Sequence, residues 1–194
     1  MEKFRPYLYG AYGSNLNFRQ MSYRCPRARP VGVLELQDFA LRFRGVADIE
    51  KSKGDSVMLG MWQITKDCEQ RLDIYEGAPS FYRKELLKIP KGHPLDSHEQ
   101  LMVYIMNDQT SVAPPPHHYL HGLANGYADF KIEKDLLMDA VKHAYTNEIK
   151  GVGQLRFNKV KKHKPQTGRA KSDPKDAWKK RYPSLINGKR EYKI

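Results

Sequence analysis

The chain has 194 residues, 40% of them apolar, and a formal net charge of +12. That length suits one domain with an appendage, and the apolar share is enough for a packed core. No run approaches the roughly 20 apolar residues of a membrane helix, the first six residues lack the apolar stretch of a secretory leader, and Cys25 and Cys68 stand at neither metal nor redox spacing, so the expectation is a cytoplasmic protein with free thiols.

Residues 7–12, aromatic and bounded by Pro6 and Gly13, predict a short buried strand. Gly13-Ser14-Asn15 predicts a turn, and residues 17–24 a short helix stopped by Pro26. Residues 31–43 alternate as a strand with a kink at Asp38, residues 51–56 predict an exposed loop, and residues 57–64 a second buried strand. Thr65 is placed to cap a helix over residues 66–75, where Asp67 and Glu69 favour the positive N-terminus. Residues 82–89 and 101–106 predict two more strands. Pro114-Pro115-Pro116 introduces a helix over residues 117–124, and residues 133–145 put Leu136, Leu137, Ala140, Val141 and Ala144 on one helical face.

Strands outnumber helices and do not alternate regularly with them. That predicts an α+β fold: a mixed or antiparallel sheet forming a partly closed barrel with surrounding helices. Residues 1–150 are expected to form this domain. Residues 151–194 turn to Lys, Arg, Pro, Gly and Ser and are expected to be a basic C-terminal extension, partly disordered or docked. The charge divides in the same place. From residue 156 onward 14 Lys and Arg face Asp173, Asp176 and Glu191, a net of +11, whereas residues 1–155 carry 20 basic and 19 acidic groups, a net of +1. The body is almost neutral. Residues 156–194 are therefore expected either to solubilise or dock the chain, or to hold a nucleic acid or another acidic partner.

Two stretches carry candidate chemistry. Tyr12-Gly13-Ser14-Asn15-Leu16 follows a buried strand and precedes a helix, so several backbone N–H groups point into one space. Such a nest binds a carboxylate or a polarised carbonyl oxygen. Glu76 follows the helix predicted over residues 66–75 and precedes Gly77, beside Tyr75, Phe81 and Tyr82. A carboxyl desolvated there serves as base and acid near neutral pH. Each stretch also has an ordinary reading, as a strand-to-helix turn and as a solvated carboxylate at a helix end. His117, His118 and His121 share a helix face but have no cysteine or carboxylate beside them, so no metal is expected. Ser14 lacks the Gly-x-Ser-x-Gly elbow of a nucleophile, and no phosphate-binding glycine pattern appears.

Taken together, Tyr9-Gly10-Ala11-Tyr12-Gly13-Ser14-Asn15-Leu16, then residues 34–43, then Tyr75-Glu76-Gly77 with Tyr82-Arg83, then Tyr104-Ile105-Met106 with Pro114-Pro115-Pro116-His117-His118-Tyr119, resemble the γ-glutamylcyclotransferase-like (AIG2-like) superfamily in the right order. The resemblance covers about residues 6–145. It implies a cofactor-free lyase or acyltransferase that cyclises a γ-glutamyl amino acid or γ-glutamylamine to 5-oxoproline and releases the amine. It assigns the acid/base role to Glu76. Gly13, Ser14, Asn15 and Leu16 would bind the substrate carboxylate or carbonyl, with Tyr12, Tyr82 and Tyr104 as pocket walls or hydroxyl donors. The partner expected is a small γ-glutamyl-type substrate, without a membrane, acting as monomer or homodimer. The competing expectation is a non-catalytic or divergent ligand-binding protein on the same fold.

Overall fold

The computed structural model describes residues 7–98, 100–109 and 111–159, with side chains through Asn147. Five strands and four helices follow one another as β1 (Tyr7–Ala11), α1 (Phe18–Arg24), β2 (Arg29–Phe43), β3 (Ala47–Ile64), α2 (Lys66–Glu76), β4 (Tyr82–Lys88), β5 (Gln100–Met106), α3 (His117–Asp129) and α4 (Asp135–Lys159). The sheet order is β2-β3-β1-β5-β4. β1 lies at its centre, antiparallel to β3 and parallel to β5. Four of its five residues are buried, as expected for a short apolar strand covered on both faces.

The α+β class holds. The expected closure does not: β2 and β4 end the strand order, and the sheet stays open. The loop expected at residues 51–56 also changes character. β3 runs through it, because the arm is held by pairing with β2 on both sides of residues 52–55, which themselves have no partner on β2. The loop survives as a jump in register, from Gln37 opposite Ser56 to Phe39 opposite Lys51. Asp38 takes φ 61° at that jump, and its Oδ1 accepts the Gly54 amide at 2.9 Å. Asp and Asn adopt this backbone more readily than other residues with a side chain, because their short polar chain bonds locally.

The helices begin where the sequence places capping side chains. Asn17 Oδ1 accepts the Gln20 amide at 3.0 Å to open α1, and Thr65 Oγ1 accepts the Cys68 amide at 3.2 Å to open α2. α2 ends at Gly77, whose φ of 63° is the left-handed conformation glycine adopts without cost. Glu76 is therefore the last residue of the helix. α4 continues past residue 150, to Lys159. The rest of the basic extension, residues 160–194, lies outside the described residues. No helix among the described residues is long and apolar enough to cross a membrane.

One apolar core lies between the sheet and the helices. Leu16, Met21, Phe43, Ile49, Leu59, Met61, Leu72 and Tyr127 are among its fully buried members. Phe18, Trp62 and Phe130 meet edge to face, with centroids 4.9–5.4 Å apart. This cluster braces the segment after β1. Trp62 Nε1 donates to the Asn15 carbonyl at 3.0 Å. On the other side, α3 comes so close that a Cβ on Gly126 would lie 2.6 Å from Leu16 Cβ and 2.7 Å from the Asn17 nitrogen.

Candidate active site

The chain leaves β1 at Ala11 and turns at once. The Leu16 amide donates to the Gly13 carbonyl at 2.9 Å and the Asn17 amide to Ser14 at 3.2 Å, closing a single 3-10 turn over Ser14–Leu16. Beside this turn lies a small cleft. Tyr9, Tyr12, Gly13, Ser14 and Asn15 form one wall, and Glu76, Tyr82, Tyr104, Tyr119 and Ala47 complete it. Five sequence-distant elements thus meet the turn: the end of α2, the starts of β3 and β4, strand β5 and the first turn of α3.

Glu76 is the charged residue in that lining. Its Oε1 accepts from Asn15 Nδ2 at 2.8 Å. Burial pushes its carboxyl up from 4.5 to about 7, against the opposing pull of the Arg24 cation and the Asn15 bond. Asn15 is itself buried, and the same Nδ2 donates to the Tyr9 hydroxyl at 2.8 Å. Arg24, at the end of α1, closes the far side of Asn15. Its Nη1 donates to Asn15 Oδ1 at 2.5 Å and to Ser14 Oγ at 3.0 Å.

The three expected tyrosines do reach the cleft, but their hydroxyls are already engaged. Tyr12 donates to the Tyr104 carbonyl at 2.5 Å, Tyr82 to the Ala47 carbonyl at 3.0 Å, and Tyr104 to Asp73 Oδ1 at 2.7 Å. Burial raises all three phenols well above their ordinary value. They serve as neutral walls. Leu16 departs from the expectation. Its amide is committed to the 3-10 turn and its side chain is fully buried in the core, so it does not line the cleft. The loop donors narrow to residues 13–15.

Sequence reasoning missed several residues here. Tyr119 stands across from the loop, its oxygen 3.2 Å from where a Cβ on Gly13 would be, accepting from the Ala47 amide at 3.0 Å. The Ser14 amide also points to it. Tyr9 lies in β1, whose residues 8–11 are all buried, so no alternation marks it out. Arg24, Tyr119 and Ala47 carried no local pattern at all. The three histidines of α3 are absent from the cleft lining, and among the described residues no three His, Cys, Asp or Glu side chains gather as metal ligands.

Residues 9–122 match the model of a family described as gamma-glutamyl cyclotransferase, AIG2-like. A gamma-glutamylcyclotransferase of Mus musculus is 30% identical over 160 residues, covering 75% of this chain and 82% of that protein. Gamma-glutamylcyclotransferases of Bos taurus and Homo sapiens are 37% identical over 86 residues, covering 38% of this chain. The matched stretch spans a little under half of these two relatives, 46% of each. Among solved structures, a gamma-glutamyl cyclotransferase aligns with a TM-score of 0.58 at 23% identity, over 91% of this chain and 99% of the other. An uncharacterized protein from Homo sapiens aligns with a TM-score of 0.57 at 24% identity, over 88% and 96%. At such identities these superpositions establish the shared fold.

Proposed function

The chain belongs to the gamma-glutamyl cyclotransferase, AIG2-like family, and from that premise we propose that it cyclises a γ-glutamyl amino acid or γ-glutamylamine to 5-oxoproline, with Glu76 as general base and then general acid. The observation that carries this reading is the Glu76 carboxyl: half-buried, raised to about 7, and held against Asn15 of the loop. A carboxyl near neutrality takes and returns a proton with little penalty in either direction.

The steps follow from the substrate's own chemistry. Glu76 removes a proton from the α-ammonium, and the freed amine attacks the γ-carbonyl carbon. A C–N bond forms, closing a five-membered ring. Negative charge grows on the carbonyl oxygen, where the amides of Gly13, Ser14 and Asn15 stabilise it or else fix the substrate carboxylate. The original amide C–N bond then breaks, and Glu76 gives its proton to the departing amine. The ring nitrogen still carries a second proton, which the freed Glu76 carboxylate takes and passes to the released amine, so both protons travel over one carboxyl group and no protein nucleophile is needed. Folding the substrate against the tyrosine walls supplies proximity.

The test is a panel of γ-glutamyl amino acids and γ-glutamylamines incubated with the purified full chain, with 5-oxoproline as the readout. Product from at least one compound is expected, lost in Glu76→Gln with the fold intact by circular dichroism. Folded protein that turns over none of them leaves the ligand-binding alternative. The +11 charge beyond residue 155 favours one addition, binding of a nucleic acid or other polyanion through residues 156–194. Truncation after Lys159 is expected to weaken salt-sensitive binding to DNA or RNA while leaving turnover in place, since the cleft lining ends at Tyr119. Undiminished nucleic-acid affinity in the truncated protein would refute the tail's role.

A further inference from the structure

Arg24 is neither in the signature loop nor in the cleft lining, yet it touches what holds Glu76. We propose that Arg24 is a positioning residue that fixes which face of the Asn15 amide is turned toward the Glu76 carboxyl. The inference rests on reading Glu76 as the acid/base group.

An asparagine amide has one end that accepts and one that donates, and the two ends have nearly the same shape. Buried Asn15 has two sets of neighbours. On one side are Glu76 Oε1 and the Tyr9 hydroxyl, both 2.8 Å from its terminal atom, and on the other is Arg24 Nη1 at 2.5 Å. The Tyr9 hydroxyl accepts or donates equally well, so it does not choose. Arg24 does. A guanidinium only donates, so the atom facing it must be Oδ1, and Nδ2 is turned to Glu76. An N–H donor favours the ionised carboxylate, which is the base. The flipped amide would present an oxygen, which favours the protonated acid.

Arg24 is itself immobilised from three sides. Nη2 donates to Gln20 Oε1 at 2.7 Å one turn back on α1, and Nη1 also donates to Ser14 Oγ at 3.0 Å. The guanidinium carbon lies 3.7 Å from the centre of the Tyr75 ring on α2, next to Glu76 in sequence. The Tyr75 hydroxyl lies 3.2 Å from Ser14 Oγ, completing the frame. The other ionisable groups around Glu76 do not compete. Tyr9, Tyr12, Tyr82, Tyr104 and Tyr119 are buried phenols pushed upward and neutral. Asp48 is bonded to Arg44, and Asp73 to Tyr104 and Lys84. Arg24 is the cation acting on the Glu76 carboxyl.

The decisive measurement follows the Glu76 carboxyl carbon by NMR in protein labelled at glutamate, its signal identified by its absence from E76Q. This readout does not require turnover. In R24Q the midpoint is expected to rise by roughly one pH unit. R24K, which keeps the charge but not the planar fork, is expected to rise by less. The R24Q effect should shrink by more than half when Asn15 is already alanine. In kinetics, kcat/KM of R24Q at pH 6 is expected to fall roughly tenfold, with the loss shrinking as pH rises; a merely structural defect would persist at every pH. A midpoint in R24Q within about 0.2 of the native value, or an equal shift in the Asn15→Ala background, overturns the role. If R24Q does not fold, R24K carries the same comparison. Absence of 5-oxoproline from the native protein, with the NMR shift present, overturns the catalytic reading and leaves the positioning intact.

Discussion

Glu76 illustrates how one residue sets two pH dependences of opposite benefit. Its folded value of about 7 lies above the ordinary 4.5, so the folded state holds the proton more tightly than the unfolded chain does. Below about pH 4.5 both states are protonated and nothing is lost. Between 4.5 and 7 the unfolded chain ionises first and stability falls, by about 3 kcal/mol in all. Above 7 the difference is constant. Glu76→Gln, neutral at every pH, should therefore unfold at higher denaturant at pH 8 by about that margin and match the native protein at pH 4. Activity runs the other way. In the proposed role the base must be ionised, so kcat/KM should rise with pH and level off above about 7. A pH-independent stability difference between the two proteins would refute the burial of this charge. Cys25 obeys the same desolvation rule: burial pushes its thiol up to about 12, and with Cys68 also buried both thiols should react with a disulfide reagent only on unfolding.

At the scale of elements, the cleft depends on where helices stop and how closely they approach the turn after β1. Gly77 ends α2 so that Glu76 sits on its rim. Gly126 lets α3 press against Leu16 and Asn17. A Cβ there meets backbone 2.7 Å away, which cannot swing aside as a flexible side chain would. Gly126→Ala should cost about 1–3 kcal/mol and also lower kcat/KM, because the loop itself is displaced. Thr65→Ala removes the cap at the opposite end of α2 from Glu76. It should cost about 1 kcal/mol and leave kcat untouched. Equal kinetic damage from the two substitutions would argue against this geometric account. Most element boundaries were legible because caps, prolines and periodicity act within a few residues. The arm of β2 and β3 was not. Residues 51–56 are polar and glycine-containing and look like a loop in isolation; pairing of Lys51 and Ser56 with β2 keeps the arm extended on either side of unpaired residues 52–55.

For the molecule as a whole, the sheet places Asp48 and Arg44 together, their side chains 0% and 2% exposed and 3.0 Å apart. Asp48 also accepts the Met106 amide and the Gln109 side chain, both at 2.9 Å, tying the start of β3 to the end of β5. Removing one member of a buried pair leaves its donors without a partner. Asp48→Ala should destabilise by about 3–5 kcal/mol in chemical denaturation, far more than a surface carboxylate such as Asp67. A loss near that of Asp67→Ala would contradict the burial. The charge of the whole chain reads differently from that of its parts: the basic excess lies after residue 155, and the body before it is nearly neutral. The pI is thus no guide to what the cleft binds.

The sequence by itself determined the α+β class, most strand and helix positions, the glycine turn after β1, and Glu76 at the end of α2. Each depends on short-range rules: side-chain periodicity, capping, and the backbone preferences of Gly and Pro. The tertiary structure decided what those rules do not reach. It left the sheet open, spent the Leu16 amide inside the turn, engaged the hydroxyls of Tyr12, Tyr82 and Tyr104, and brought Tyr119 and Arg24 to the loop. Burial and hydrogen-bond direction are properties of neighbours in space. The raised Glu76 carboxyl and the orientation of the Asn15 amide beside it arise only when β1, α1 and α2 have packed together.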